Sequence, residues 1–257
     1  MNRTEPAPSP DPCHVVQLYG SDDHGLVASV ARYLAAGYEL GQPLVVIAMA
    51  AHEPLIREQL ASLGVPVDEA ERLGRAVFVD AHQALAALMV DGYPDDERFA
   101  ATIGATARRM QERCPGQRLR GFGEMVGVVW ERGQFPSAIR LEQLWNALQA
   151  SIDVDLYCAY PIDIFGGGFS TGVVSGLLCT HSALVAAERN DHLERALGRA
   201  IEACSDARVP DARATAPRMR SRAALPRAED TILWIRSQLA DNAEEILGRA
   251  RGEYAAS

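Results

Sequence analysis

A short polar segment near the start of the chain has the residue types that could hold a phosphate group or move a proton. It consists of Gly20, Ser21, Asp22, Asp23 and His24. A phosphate-binding loop of the form G-x-x-x-x-G-K-[ST] needs a lysine for the phosphates and a hydroxyl for magnesium. In this chain the lysine is missing, and two carboxylates would repel a triphosphate. The segment therefore keeps the position of a nucleotide-binding turn with a different ligand chemistry.

The residues on either side of this segment predict a strand before it and a helix after it. Apolar and β-favouring residues run from His14 to Tyr19. Gly20 permits a tight turn, and the polar residues after it can cap a helix whose apolar period begins at Leu26. Strand, tight loop and helix are thus expected in that order.

Composition limits the kinds of partner. The 257 residues are 48% hydrophobic and 23% charged, which suits one main domain with an appendage. The net charge of -9 and the pI near 5.2 argue against broad binding of nucleic acid or anionic membranes. The five cysteines are scattered without a C-x-x-C pair, and residues 1–13 read as a disordered polar tail. We therefore expect a cytoplasmic protein.

The remaining pattern alternates strands and helices. An unbroken apolar run predicts a strand at 44–49, and further strands are predicted at 75–80, 119–124 and 154–161, with helical periods between them. Such alternation predicts an α/β fold in which a mostly parallel sheet has helices on both faces. Ligands in such sheets bind beyond the carboxyl ends of the strands.

The C-terminal third reads as a helical appendage. We predict a main domain over 14–187, followed by a helix and a basic mobile linker over 188–227. A helical pattern begins before the end of the main domain, at about Val173, and continues to Ala203. Residues 228–257 predict one amphipathic helix, with Ile232, Ile235 and Leu247 on its apolar stripe. That stripe must pack on its own core or on another chain, and a homodimer is the preferred arrangement.

Five motifs, in order and at ordinary spacing, make the chain resemble the MEDS family, the methanogen/methylotroph DcmR-type sensory domain. They are His14-Val15-Val16-Gln17-Leu18-Tyr19, Arg120-Gly121-Phe122-Gly123-Glu124-Met125, Glu142-Gln143-Leu144-Trp145-Asn146, Cys158-Ala159-Tyr160-Pro161 and Cys179-Thr180-His181. The resemblance implies a three-layer core like that of RecA and KaiC ATPases with a degenerate nucleotide site. It also implies sensing of small molecules, such as simple hydrocarbon derivatives, for transcription factors or histidine kinases. The chain lacks a helix-turn-helix signature and a kinase ATP-lid motif, so its output would need a signalling partner or the appendage.

The candidate ligand-binding residues follow from the ends of the predicted strands and from these motifs. Glu124 begins a helix beside two glycines, where a carboxylate is stabilised and a ligand can approach closely. Tyr19 and Tyr160 end two strands that we expect to be neighbours, and their phenols could line an apolar pocket. The alternative explanation is that both are ordinary packed aromatic residues. The full set is Tyr19, Ser21, Asp22, His24, Glu124, Trp145, Cys158 and Tyr160.

Other residues are given structural roles. His14 begins its strand roughly 17 Å from Tyr19, so we expect it at the wrong end of the sheet for the pocket. The pair Cys179 and His181 lacks companions at zinc-binding spacing, and no cofactor fingerprint is present. No metal or cofactor is therefore expected.

Three functions remain open from the sequence. The first is a non-catalytic sensor that binds a small ligand in the degenerate site and signals to a protein partner. The second is an enzyme that uses Glu124 as a general base with His24 or His82 nearby. The third is nucleotide binding without hydrolysis, which Asp22 and Asp23 disfavour.

The missing lysine predicts that ATP and GTP bind weakly or not at all, with or without magnesium, because nothing replaces its charge at the phosphates. Isothermal titration calorimetry checks this directly. Magnesium-dependent ATP binding in the micromolar range would contradict the interpretation of residues 20–26.

Overall fold

The computed structural model describes residues 13–20, 24–186, 189–204 and 225–256. The expectations for Ser21, Asp22, Asp23, the N-terminal tail and the basic segment 205–224 lie outside these residues. The chain divides into two compact units. Unit 1 contains residues 13–15 and 26–160 of the described chain, and unit 2 contains the rest. No helix in the described ranges has the length and apolar character required to span a membrane.

The sheet has the strand order β3-β2-β6-β7-β1-β8. Its strands are β1 His14–Leu18, β2 Leu44–Ala48, β3 Ala76–Asp80, β6 Leu119–Gly123, β7 Val154–Tyr160 and β8 Ala183–Leu184, while β4 Met89–Val90 and β5 Tyr93–Pro94 form a separate hairpin. Strand β1 is shared between the units: its first two residues belong to unit 1 and the others to unit 2. The pairs β2–β3, β2–β6 and β6–β7 are parallel. Non-consecutive neighbours require helical crossovers between them.

Helices connect the strands of unit 1. They are α1 His24–Glu39, α2 Glu53–Ser62, α3 Val67–Arg72, α4 Ala81–Leu88, α5 Asp96–Phe99, a π-helical turn Ala100–Gly104, α6 Ala105–Arg113, α7 Met125–Glu131 and α8 Phe135–Gln149. Every residue of β2 and β7 is buried, as happens when helices cover both faces of a sheet. The predicted α/β class, a mostly parallel sheet flanked by helices, is confirmed.

Unit 2 contains most of the differences from the sequence-based prediction. The helical stretch predicted from Val173 to Ala203 is two helices, α9 Thr171–Leu178 and α10 Asn190–Cys204, with β8 between them. The prediction of a single helix over 228–257 was wrong. This segment forms two helices, α11 Arg227–Gln238 and α12 Ala243–Ala255, which are separated by a 3₁₀ turn.

The apolar stripe of the appendage is buried within unit 2 itself. Ile232, Ile235 and Ile246 are fully buried, and α10 packs against both α11 and α12. The break after Gln238 lets the two halves of the predicted helix fold against one another and against α10. The stripe therefore needs no second chain to cover it. The homodimer remains a prediction, but the need to cover this stripe no longer supports it.

In unit 1, Arg120 of β6 lies against α1 where the helix has a glycine. The guanidinium donates through Nε to Gln42 Oε1 at 2.8 Å and through a terminal nitrogen to the Tyr33 carbonyl at 3.2 Å, and it lies 4.5 Å from the centre of the Tyr33 ring. A Cβ on Gly37 would come within 2.5 Å of Arg120 Cγ. Gly37 is thus required for the close approach of α1 to this fixed side chain.

Gly37→Ala should lower the free energy of unfolding by about 1–3 kcal/mol, because the added methyl group collides with a hydrogen-bonded arginine that has little room to move. Urea titration followed by circular dichroism measures the change. The matched control is Gly248→Ala in α12, where a Cβ meets nothing within 4 Å. That substitution should stabilise by about 0.5–1 kcal/mol, as expected for alanine in an open helical position. Equal effects at both positions would contradict the assigned role of Gly37.

Candidate functional site

Glu124 is a buried carboxylate at the carboxyl end of β6, with only 1% of its surface exposed. Its Oε2 accepts a hydrogen bond from the backbone N–H of Met49 at 2.7 Å, and its Oε1 lies 2.6 Å from His52 Nδ1. The Glu124 backbone N–H donates to the Ile47 carbonyl, which continues the pairing of β6 with β2. Both side-chain oxygens are thus engaged at the ends of two adjacent parallel strands.

His52 is brought to this carboxylate by the short connection between β2 and α2. Its backbone N–H donates to the Met49 carbonyl, and the residue stands directly before α2, which has a proline in its first turn. The imidazole is 2% exposed. A tight turn after a buried strand therefore points the ring back over the end of the sheet and pairs it with Glu124.

Trp145 of α8 lies next to this end of β6. A Cβ on Gly123 would lie 3.6 Å from the indole ring, and Phe99 packs edge-on against that ring at a centroid distance of 5.3 Å. The indole Nε1 is buried and has no hydrogen-bond partner in the part of the chain that the structure describes. A buried N–H donor without an acceptor is uncommon in native proteins and costs about 1–3 kcal/mol.

A second polar cluster, called here the His14 cluster, lies between α8, β7 and the start of β1 in unit 1. It consists of His14, Glu142, Asn146, Cys158 and Tyr160. His14 Nε2 lies 3.2 Å from Cys158 Sγ and 3.3 Å from Glu142 Oε2, while His14 Nδ1 donates to Asn146 Oδ1 at 2.9 Å. The Tyr160 hydroxyl donates to Glu142 Oε1 at 2.7 Å. Five polar side chains from three separate elements thus form one hydrogen-bonded group.

Burial raises the pKa of two members of this cluster. It raises the pKa of the Cys158 thiol well above its usual range, and the adjacent Glu142 carboxylate raises that pKa further. The same two causes, in the same order, raise the pKa of the Tyr160 phenol. The thiol and the phenol are therefore both neutral at physiological pH, and a neutral Cys158 is a poor nucleophile.

The other predicted site residues that the structure describes form no hydrogen bond with the Glu124 side chain. Tyr19 is buried in unit 2 directly after β1, and His24 is exposed at the first position of α1. The strands β1 and β7, which end near Tyr19 and Tyr160, are neighbours as predicted. Tyr160 donates to Glu142, whereas Glu124 pairs with His52, so these two predicted ligand-binding residues of unit 1 have different partners. His82, considered as a catalytic partner for Glu124, instead contacts Arg132.

His14 was expected at the wrong end of the sheet for the pocket, because it begins the strand that ends at Tyr19. In the structure it contacts Glu142, which is also the partner of Tyr160, one of the predicted pocket residues. The reason is stagger: the backbone N–H of Leu156 donates to the Cys13 carbonyl, so β1 begins beside the middle of β7 rather than beside its first residue. Counting residues along one strand cannot reveal this offset.

Two buried residues were missed as functional candidates, although the sequence carries a signal for each. Glu142 falls on the apolar stripe of α8 between Leu141 and Trp145, and a charged residue on such a stripe is buried with it. His52 follows a fully apolar strand by only a few residues, where the ends of parallel strands gather side chains. His181 in unit 2 is also buried, and its Nδ1 donates to the Leu177 carbonyl at 2.7 Å.

The family model described as "MEDS: MEthanogen/methylotroph, DcmR Sensory domain" matches residues 13–182, which is more than half of the chain. The chain therefore belongs to the MEDS family of sensory domains. The matched range includes Glu124, Trp145 and every member of the His14 cluster. The resemblance inferred from the sequence motifs is confirmed.

Among solved structures, the chain is similar to a KaiC-like protein from the hyperthermophilic archaeon Pyrococcus horikoshii OT3. The two are 17% identical with a TM-score of 0.42, and the match covers 59% of this chain and 63% of that one. The chain thus spans less than two thirds of the length of that protein. A search of curated protein sequences found no match.

Glu124→Ala should lower the free energy of unfolding by about 3–5 kcal/mol, because it removes the carboxylate that accepts from the buried Met49 N–H and pairs with His52 Nδ1. Urea denaturation of Glu124→Ala, His52→Ala and the double variant gives the coupling energy between the two side chains. Glu112→Ala, at an exposed position of α6, is the control and should change stability by less than about 0.5 kcal/mol. A cost at Glu124 no larger than at Glu112 would contradict the buried pair.

Proposed function

We propose that this MEDS domain senses a small, neutral, weakly polar molecule bound beside Trp145 at the carboxyl end of β6. One observation carries the proposal: the indole N–H of Trp145 is buried and has no acceptor among the described residues. A ligand with a hydrogen-bond acceptor would satisfy that donor. Membership of a sensory family supports a binding role of this kind.

The surroundings of the indole define the ligand's chemistry. Phe99 and the side-chain-free Gly123 offer apolar contact and a close approach to the backbone. Gly123 is followed directly by the buried Glu124 carboxylate, whose oxygens already have partners and whose charge disfavours an anion. Short-chain alcohols, ketones and halogenated alkanes combine a small apolar body with one weak acceptor and fit these requirements.

We propose a non-catalytic role, for which the pairing of Glu124 is the support. A general base must come within hydrogen-bond reach of the substrate proton. Glu124 is 1% exposed, and each of its oxygens already accepts a hydrogen bond from this chain, from the Met49 N–H or from His52. We therefore propose that Glu124 and His52 act as a fixed floor for the binding site rather than as an acid–base pair.

Signalling would follow from a population shift. A ligand that binds one setting of the strand ends better than another moves the equilibrium by its differential affinity alone. We propose that a cytoplasmic transcriptional or kinase partner receives this change, because the sequence has no recognised output motif of its own.

The proposal predicts that ligand binding moves the indole N–H resonance of Trp145 downfield in a ¹H–¹⁵N NMR spectrum, because the proton acquires an acceptor. The chain has three tryptophans, so Trp145→Phe assigns the resonance by its loss. A panel of short-chain alcohols, ketones and halogenated alkanes serves as the set of probes. Trp145→Phe should bind the responding compound at least about 10-fold more weakly, the effect of one buried hydrogen bond.

Trp234→Phe is the control, since Trp234 lies on α11 in unit 2, and its affinity for the same compound should equal that of the wild type. A compound that binds without moving the Trp145 resonance would place the ligand elsewhere. The same holds if both tryptophan variants lose affinity equally.

A further inference from the structure

Three atoms of the His14 cluster converge on one point. His14 Nε2, Glu142 Oε2 and Cys158 Sγ are separated by 3.2 Å, 3.3 Å and 3.7 Å, and each of their residues is at most 3% exposed. An imidazole nitrogen, a carboxylate oxygen and a sulfur are all donors that Zn²⁺ accepts. The proposed ligand site at Trp145 does not use these atoms.

The fold presents the three side chains together for local reasons. Cys158 and Tyr160 alternate with Ala159 along β7, so both point to the same face of the sheet. Glu142 and Asn146 are four residues apart on α8 and share a helix face. His14 reaches Cys158 because β1 starts beside the middle of β7. The arrangement thus depends on regular elements rather than on a loop.

The separations match one face of a tetrahedral zinc site. Zinc lies about 2.0–2.1 Å from nitrogen, about 2.3 Å from sulfur and about 2.0–2.2 Å from oxygen, so tetrahedral angles place its ligand atoms roughly 3.4–3.6 Å apart. The observed separations of 3.2, 3.3 and 3.7 Å bracket this range. Only shifts of a few tenths of an ångström would be needed to hold the ion.

The outer contacts orient each ligand in the way that metal sites require. Asn146 Oδ1 is an acceptor, so the proton of the neutral His14 ring lies on Nδ1 and the lone pair of Nε2 faces the sulfur and the carboxylate. The Tyr160 hydroxyl occupies Glu142 Oε1, which leaves Oε2 facing the same point. Hydrogen bonds of this kind typically contribute 10–100-fold to metal affinity.

Electrostatics also favour a cation at this point. With a neutral imidazole, His14 Nε2 and Glu142 Oε2 are two acceptor atoms 3.3 Å apart, so their lone pairs repel unless a proton or a cation lies between them. A protonated His14 that forms an ion pair with Glu142 is the alternative without metal. A divalent cation satisfies all three donor atoms at once.

We propose that His14, Glu142 and Cys158 are ligands of a zinc ion. On binding, the Cys158 S–H bond breaks, a sulfur–zinc bond forms, and the proton is released to solvent. Nothing is oxidised or reduced. Because the ligands are buried, the ion is acquired as the chain folds, and it links β1, α8 and β7 of unit 1.

The test uses the full chain, refolded from denaturant after chelation, with Co²⁺ as a spectroscopic substitute and Zn²⁺ as competitor. The wild type should take up one equivalent of Co²⁺, with a sulfur-to-cobalt charge-transfer band in the near ultraviolet that Zn²⁺ abolishes. Cys158→Ser should lose that band. His14→Ala and Glu142→Gln should each lower the affinity for Zn²⁺ by at least about 10-fold. Metal uptake should also release one proton per ion.

Cys114→Ser is the matched control, since Cys114 is another thiol of unit 1 that is only partly buried, and it should keep both the band and the affinity. Circular dichroism shows whether each variant folds. If a ligand variant does not, the wild type alone still decides the question through its metal content and the rise in its unfolding temperature with Zn²⁺.

A wild-type protein that refolds equally well without metal, shows no charge-transfer band and retains no Zn²⁺ would overturn the proposal in favour of the His14–Glu142 ion pair. A band that persists in Cys158→Ser and disappears in Cys114→Ser would overturn the ligand assignment. The small-molecule site is tested by the NMR response of Trp145 and the zinc site by metal binding, so one proposal can fail while the other holds.

Discussion

The central constraint on unit 1 is that its parallel strands are covered on both faces. Every residue of β2 and β7 is buried, so a polar side chain that reaches these strands must find its partner inside the protein. A carboxylate left alone in such surroundings would cost several kcal/mol. The two buried glutamates of this layer, Glu124 and Glu142, accordingly each have specific partners.

The two glutamates meet this constraint in different ways. Glu124 sits at the end of β6 and is held by one backbone N–H and one imidazole, a local solution that uses the connection after β2. Glu142 enters from α8 and is held by side chains from two strands, with an imidazole, a thiol and a phenol around it. The first arrangement is closed by hydrogen bonds alone. The second brings three metal-binding atom types to one point, which hydrogen bonding among neighbours does not require.

Local sequence patterns were sufficient for most of the sheet and insufficient for its offsets. The unbroken apolar run of β2 predicted that strand directly, because burial on both faces leaves no polar alternation. The stagger of β1 against β7 depends on hydrogen bonds between distant segments, so the contact of His14 with Glu142 could not be predicted. The break between α11 and α12 depends on packing against α10, which a helical period cannot show. Glu124, Cys158 and Tyr160 were predicted as site residues from the sequence, whereas their pairing with His52 and Glu142 depends on how separate elements pack together.

Helix α8 connects the two proposed sites of unit 1. Glu142 contacts Tyr160 of β7 and Asn146 contacts His14 of β1. Trp145, on the same helix, lies against Gly123 of β6 and against Phe99. A helix moves as a rigid element, so a ligand that changes the contact between Trp145 and β6 also acts on the distance between Glu142 and Cys158. A metal ion would hold that distance within a few tenths of an ångström and would favour one setting of α8. By linkage, the small molecule at Trp145 and the metal ion would then each change the affinity for the other by the same factor. Such reciprocal coupling would make the response to the small molecule depend on whether the ion is bound.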